Sequence, residues 1–71
     1  MGINVEAEMV ANVWKVMVSA GAGVAEGDTL VILESMKMEI PVEAPVAGTV
    51  SVINVEEGGV VQEGDVIAVI D

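Results

Sequence analysis

The residue with the most distinctive chemistry in this chain is Lys37, within the segment Glu34-Ser35-Met36-Lys37-Met38-Glu39. The 71 residues include two Lys or Arg, twelve Asp or Glu, no His and no Cys, for a net charge of −10. A lysine amine can act as a nucleophile or form an amide, but only in its neutral form. A lone lysine is more commonly a plain surface charge. Its place between two methionines argues against that reading here.

Composition excludes several classes of function. Without cysteine there are no disulfides and no Cys-based zinc sites, and no D-x-D-x-D-G calcium loop occurs. The shortage of basic residues predicts no nucleic-acid partner, because phosphate contacts need Lys and Arg. No apolar run approaches the ~20 residues of a membrane span, and no signal-peptide pattern begins the chain. We therefore expect a soluble cytoplasmic protein that does not contact a membrane.

An internal repeat divides the chain. Shifting the sequence by 37 positions aligns residues 5–34 with 42–71 without a gap, and Glu26-Gly27-Asp28 falls on Glu63-Gly64-Asp65. Two copies are too few for a solenoid, so a closed pseudo-two-fold is expected. The interpretation is one domain over 1–71, with residues 35–41 joining the halves. Asp28 and Asp65 are expected to accept backbone hydrogen bonds that fix the two turns.

The elements that position Lys37 are predicted to be short β-strands separated by glycine turns. Alternating or continuous β-branched segments without helical periodicity favour an all-β sandwich or barrel. A change of apolar phase between Val52 and Ile53 indicates a bulge. Trp14 is expected in the core or on a sheet face. Close strand spacing is expected to leave no ligand cavity, which argues against a small-molecule enzyme. The expected strands are Ile3–Glu8, Val13–Val18, Thr29–Leu33, Ile40–Val42, Thr49–Val55 and Val66–Ile70, with Val24 and Val61 as single anchors between turns.

The repeat places Lys37 at the tip of a hairpin. Leu30–Ser35 and Met38–Val42 would run antiparallel, which leaves Met36 and Lys37 as the turn. Hairpin tips project into solvent and commonly carry function. For the two methionines the residues alone leave both readings open: exposure for a partner, or folding back onto the sheet.

Glu34-Ser35-Met36-Lys37-Met38 resembles the E-A-M-K-M signature of biotinyl domains, the swinging-arm carriers of biotin-dependent carboxylases. Ser35 in place of Ala is the only departure within the motif. The resemblance covers nearly the whole chain and includes Ala44–Val50, which is similar to the family's A-P-x-x-G-x-V segment. It implies a flattened barrel, or sandwich, of two four-stranded antiparallel sheets related by a pseudo-two-fold axis, known as a barrel-sandwich hybrid. The gap-free repeat leaves no room for the inserted "thumb" of some carriers.

The resemblance also implies a function. Lys37 would carry covalent biotin, attached by a biotin protein ligase. Glu34, Met36 and Met38 would contact the ligase and the carboxylase partners. The domain, a monomer in isolation, would be a non-catalytic carrier between a biotin carboxylase and a carboxyltransferase. Thumbless carriers of this kind serve propionyl-CoA, pyruvate and acyl-CoA carboxylases.

Three alternatives are weighed against this reading. A lipoyl domain shares the fold, but it usually has Asp before the lysine and Ala after it, where this chain has Met36 and Met38. An unmodified module of the same fold, as in efflux or membrane-fusion adaptors, has no reason to keep a lysine between methionines. A stand-alone enzyme is disfavoured because the chain offers no nucleophile–base pair, metal cluster or phosphate loop.

Overall fold

The computed structural model describes residues 2–71, which form short β-strands joined by tight turns. No helical segment among these residues has the length and apolarity needed to cross a bilayer. The all-β prediction is confirmed. The strands are β1 (Ile3–Glu6), β2 (Ala11–Val16), β3 (Gly23–Val24), β4 (Thr29–Ser35), β5 (Met38–Glu43), β6 (Gly48–Ile53), β7 (Val60–Val61) and β8 (Val66–Ile70).

The strands pair into two four-stranded antiparallel sheets, as predicted. One sheet has the strand order β5-β4-β2-β7; it contains Lys37's hairpin and is called the hairpin sheet. The other has the order β1-β8-β6-β3 and contains the first and last strands, and is called the terminal sheet. Pro41 lies in β5 at the edge of the hairpin sheet, where a residue without an N–H is tolerated.

One hydrophobic core fills the space between the sheets. It is built from aliphatic side chains, and among the described residues no polar or charged side chain is buried. In the inner strands β4 and β8, residues 30–33 and 66–70 are buried or half-buried throughout, which agrees with their unbroken apolar sequences. The largest fully buried side chains are Leu30, Leu33, Ile67, Ile70, Val13, Val31, Val50 and Val61.

The two halves make the same backbone contacts with each other. The N–H of Gly27 donates to the carbonyl of Ala44 at 2.9 Å, and the N–H of Gly64 donates to Ala7 at 2.9 Å. Both glycines have a φ near +90°, a region that residues with a Cβ avoid. Each E-G-D turn is thus tied to the opposite half. The residue bounds of the repeat and of the single domain stay predictions.

The aspartates of these turns behave as the sequence predicts. The Oδ2 atom of Asp28 accepts the N–H of Ala25 at 2.9 Å, and that of Asp65 accepts the N–H of Gln62 at 2.9 Å. Each carboxylate therefore closes its own turn across three residues.

Bulges bend the middle strands of both sheets. In β6 the register shifts between Val50 and Val52, so the predicted site between Val52 and Ile53 is displaced by about one residue. The consecutive residues Ser51 and Val52 both face solvent at this bulge. Because the exposed residue Val52 is itself apolar, the sequence does not show that the bulge begins before it. A bulge that the sequence did not predict interrupts β2 at Trp14. Strand ends elsewhere differ from the predicted ends by up to about two residues.

Candidate functional site

Lys37 lies in the turn of the β4–β5 hairpin. Ser35 pairs with Met38 to close the turn, and Glu34 pairs with Glu39 in the next row. Met36 and Lys37 remain as the connection, and two residues are among the commonest lengths for a hairpin loop. Because only two residues connect the paired strands, the strands fix the position of the lysine backbone.

Both residues of the turn adopt positive φ angles, 52° at Met36 and 65° at Lys37. Hairpin turns of this kind favour Asn-Gly, since side chains with a full Cβ crowd the following carbonyl. The left-handed conformation costs about 1–2 kcal/mol for an ordinary residue. Two long side chains are therefore kept here against the local conformational preference. Such exceptions concentrate at functional sites.

The side chains of the tip point away from the protein body. Met36 is 91% exposed and Met38 is 62% exposed, while Lys37 is also exposed. The structure thus settles the open question about the methionines in favour of exposure. Exposed methionines are adaptable apolar contacts, because the thioether chain is flexible and polarisable. The tip therefore offers an amine flanked by two apolar side chains.

Acidic side chains lie directly below the tip. Glu34 and Glu39 face each other across the β4–β5 pair, and both are exposed. Like charges in directly opposed positions destabilise a sheet. This arrangement therefore adds nothing favourable to the fold, and it places negative charge close to Lys37. A partner that covers the tip and the row below it would therefore also contact two carboxylates.

The Lys37 amine can act as the acceptor of a transferred group. None of the side-chain hydrogen bonds found among residues 2–71 engages the Lys37 amine. The same residues contain no group of carboxylates able to hold a metal ion. The chain also lacks histidine and cysteine, and none of the side-chain hydrogen bonds among these residues joins Glu34 or Glu39 to the amine, so no general base is in place on Lys37. Lys37 is suited to receive a group that a second protein delivers.

A groove of about 330 Å³ opens between β1 and β5, contrary to the expectation that close packing leaves no cavity. Its lining includes the apolar Leu33, Ile40 and Val42, together with Glu6 and Glu43. Lys37 does not line it. The groove is therefore separate from the chemistry at the hairpin tip.

Sequence reasoning missed the strained turn and the opposed carboxylates. Both follow from the hairpin register: once Ser35 pairs with Met38, the two residues between them must form the turn, and Glu34 must face Glu39. The signal was the two-residue spacing between the paired strands.

Comparison with protein families gives one clear result. The family model described as "Biotin-requiring enzyme" matches residues 3–70. A protein of Mycolicibacterium smegmatis described as "Biotinylated protein TB7.3 homolog" is 62% identical over 42 residues, which are 59% of this chain and 59% of that protein. A biotin/lipoyl attachment protein of Bacillus subtilis is 50% identical over 40 residues, 56% of this chain and 55% of that one. Each alignment thus spans little more than half of the relative.

Two solved structures are similar over almost the whole chain. The Kluyveromyces lactis urea carboxylase superposes with a TM-score of 0.93 at 34% identity, covering 100% of this chain and 6% of the carboxylase. A single-chain, multi-domain long-chain acyl-CoA carboxylase superposes with a TM-score of 0.89 at 34% identity, covering 96% of this chain and 7% of that one. In both cases the matching part is a small fraction of a much larger chain.

Proposed function

The chain belongs to the biotin- and lipoyl-attachment family, whose model matches residues 3–70, and on that premise we propose that it is a biotin carboxyl carrier with Lys37 as its attachment site. The single observation that carries the proposal is the geometry of the tip. An exposed lysine occupies a strained two-residue turn between two exposed methionines. A turn selected only for stability would be expected to contain Asn-Gly instead.

The residues of the tip fit covalent biotin. The Lys37 amine is exposed, and the turn lifts it clear of the sheet, so an enzyme can reach it from several sides. Met36 and Met38 give the partner apolar contacts on either side of the amine. Glu34 offers a charged contact one row below.

Attachment is an acyl transfer to Lys37. A biotin protein ligase presents biotin as its acyl-adenylate, and the neutral Nζ atom attacks the acyl carbon. A C–N bond forms, the bond to the phosphate oxygen breaks, and AMP leaves. A lysine amine is protonated at neutral pH and must lose a proton first. The chain has no histidine or cysteine to take that proton, and among the described residues no hydrogen bond holds Glu34 or Glu39 at the Lys37 amine. We infer that the ligase supplies the base and that this domain is its substrate.

The attached biotin supplies a ureido nitrogen that accepts a carboxyl group and gives it up again. In this proposal the partners are a biotin carboxylase and a carboxyltransferase, whose active sites do the catalysis. The two carboxylase structures that superpose on the chain support this assignment. This domain delivers the attached biotin, because a tether raises the effective concentration of biotin at both active sites. We propose a non-catalytic carrier that works in the cytoplasm.

A lipoyl carrier is the second candidate, because the family includes both kinds of attachment and one relative is described by both names. Met36 and Met38 on the two sides of Lys37 favour biotin. The two acyl groups differ in mass, and streptavidin captures only biotin.

The proposal is tested by incubating the chain with biotin, ATP and the biotin ligase of Mycolicibacterium smegmatis, where one relative is a biotinylated protein. Mass spectrometry then locates any label. We expect one biotin on Lys37, none on the Lys37→Ala variant, and full labelling of Lys15→Ala, which removes the only other lysine. An unlabelled wild type, or equal labelling of Lys37→Ala, would overturn the assignment.

A further inference from the structure

The outer face of the hairpin sheet is more apolar than the matching face of the terminal sheet. Positions 37 apart in sequence occupy equivalent places in the two sheets. Ile32 and its counterpart Val69 are both apolar. At one place the terminal sheet is the more apolar of the two, with Val52 where the hairpin sheet has Lys15. At three further places the hairpin sheet has an apolar side chain where the terminal sheet has a polar residue or glycine. These pairs are Trp14 with Ser51, Pro41 with Asn4, and Val60 with Gly23.

These apolar residues form a surface that continues to the lysine tip. Across the outer face, Pro41 pairs with Ile32, and Ile32 pairs with Lys15, which lies beside Trp14 in the β2 bulge. One row nearer the tip, Asn12 pairs with both Glu34 and Val60. Beyond that row the Ser35–Met38 pair closes the turn that holds Lys37. We call the outward-facing residues of these strands the tryptophan face: Asn12, Trp14, Lys15, Ile32, Glu34, Glu39, Pro41, Glu43 and Val60.

Trp14 is the centre of the tryptophan face. It is 44% exposed, and the bulge turns it outward together with the next residue. The Lys15 amine lies 5.2 Å from the centroid of the indole ring, a distance typical of a cation–π contact. That contact restrains the ring without burying it. A restrained, half-exposed tryptophan loses little conformational entropy when a partner covers it.

The tip alone is too small for specific recognition. Stable protein interfaces bury about 800 Å² and about 20–30 residues on each partner. The accessible surface of this protein is 4329 Å², so such a contact would cover roughly a fifth of it. Met36, Lys37 and Met38 supply only a small part of that. An enzyme that recognises the folded domain must therefore also cover a face next to the tip.

The charges of the tryptophan face indicate which partner covers it. Glu34, Glu39 and Glu43 lie on this face, against the single amine of Lys15, so the face is negative. An enzyme that holds an anionic acyl-adenylate needs basic groups around its active site. Resting on the function proposed above, we propose that the tryptophan face is the docking surface for the enzyme that acylates Lys37. That enzyme presents an apolar pocket to Trp14 and basic residues to the carboxylates.

Steady-state labelling by the ligase tests this with three variants. Trp14→Ser should raise KM for the carrier about tenfold with kcat unchanged, as for a tryptophan at the centre of an interface. Trp14→Phe should stay close to wild type. Val52→Ser is the matched control, since Val52 is 41% exposed on the opposite face. Equal KM values for Trp14→Ser and Val52→Ser would overturn the proposal.

A second measurement does not depend on the folding of a variant. Trp14 is the only aromatic residue, so fluorotryptophan incorporated into the otherwise unchanged chain gives a single fluorine NMR signal. We expect the chemical shift of this signal to change in a saturable way as ligase is added, also in the Lys37→Ala variant, which docks but accepts no label. A signal that is unchanged at saturating ligase would overturn the docking face.

The two proposals fail in different ways. If the wild type takes up no label at Lys37, the proposed function falls and the docking face falls with it. If Lys37 is labelled but Trp14→Ser behaves like Val52→Ser, only the docking face is wrong.

Discussion

At the scale of single residues, the tip of the hairpin combines exposed side chains with a strained backbone. Met36 and Lys37 both adopt positive φ angles, although the turn could be formed with less strain by Asn and Gly. The opposed Glu34 and Glu39 are a second local cost. Both costs fall within a few residues of one amine, as expected where function and stability compete.

The strain predicts that Met36→Asn stabilises the fold. Asparagine tolerates the left-handed region, so the free energy of unfolding should rise by about 1 kcal/mol. Urea denaturation measures it. Met38→Asn is the matched control, because Met38 lies in β5 and has no positive φ, so it should give no gain. A Met36→Asn variant less stable than Met38→Asn would contradict the strained turn.

The methionines are predicted to matter more for the carboxylases than for attachment. Met36→Leu and Met38→Leu keep an apolar side chain but lose the flexible thioether. Each variant should be biotinylated almost as well as the wild type, and should then slow carboxyl transfer severalfold in an assay with carboxylase and carboxyltransferase. If both variants turned over at the wild-type rate, this role would be refuted.

At the scale of elements, glycine and aspartate turns hold the strands that support the tip. Much of this could be predicted: the E-G-D spacing located the turns, and the apolar segments located the inner strands β4 and β8. The bulge at Trp14 could not be predicted. It turns two consecutive residues, Trp14 and Lys15, outward, and in the sequence this resembles the usual irregularity of apolar and polar alternation in a strand. The positive φ values at Met36 and Lys37 depend on the register of β4 with β5, which the predicted two-residue turn already implied.

The turn aspartates carry a testable share of stability. Asp28→Ala and Asp65→Ala each remove the acceptor for one backbone N–H and should cost about 1 kcal/mol of unfolding free energy. Thermal or urea unfolding measures the loss. Glu26→Ala and Glu63→Ala change charge in the same turns without removing such a bond and should be near neutral. Equal effects of the Asp and Glu variants would show that charge alone is responsible.

Gly48 lies close to Ile70 and Asp71, a contact that the amino-acid sequence does not predict. A Cβ at Gly48 would lie within contact distance of the Asp71 carbonyl oxygen and, at 2.8 Å, of a methyl group of Ile70. Gly48→Ala should therefore cost about 1–3 kcal/mol, the range for overpacking. Gly23→Ala is the control, since no atom lies within 4 Å of the added group and φ is not positive. A chemical-denaturation midpoint that is unchanged for Gly48→Ala would contradict the close contact.

At the scale of the whole molecule, two similar halves form one core, and the hairpin that carries Lys37 lies at the junction between them. After β4 the chain turns at Met36 and Lys37 into β5. The family and the fold could be predicted because the lysine motif and the repeat agree. The docking face could not, since it depends on comparing equivalent positions of two sheets in space.

The central claim is that Lys37 is the one residue that receives biotin. It is tested most directly by peptide mapping of the chain after complete reaction with biotin ligase, ATP and biotin, with Lys15 as the internal comparison. The account predicts one biotin per chain, all of it on the peptide that contains Lys37. Label on Lys15, label divided between the two lysines, or no label at all would contradict it.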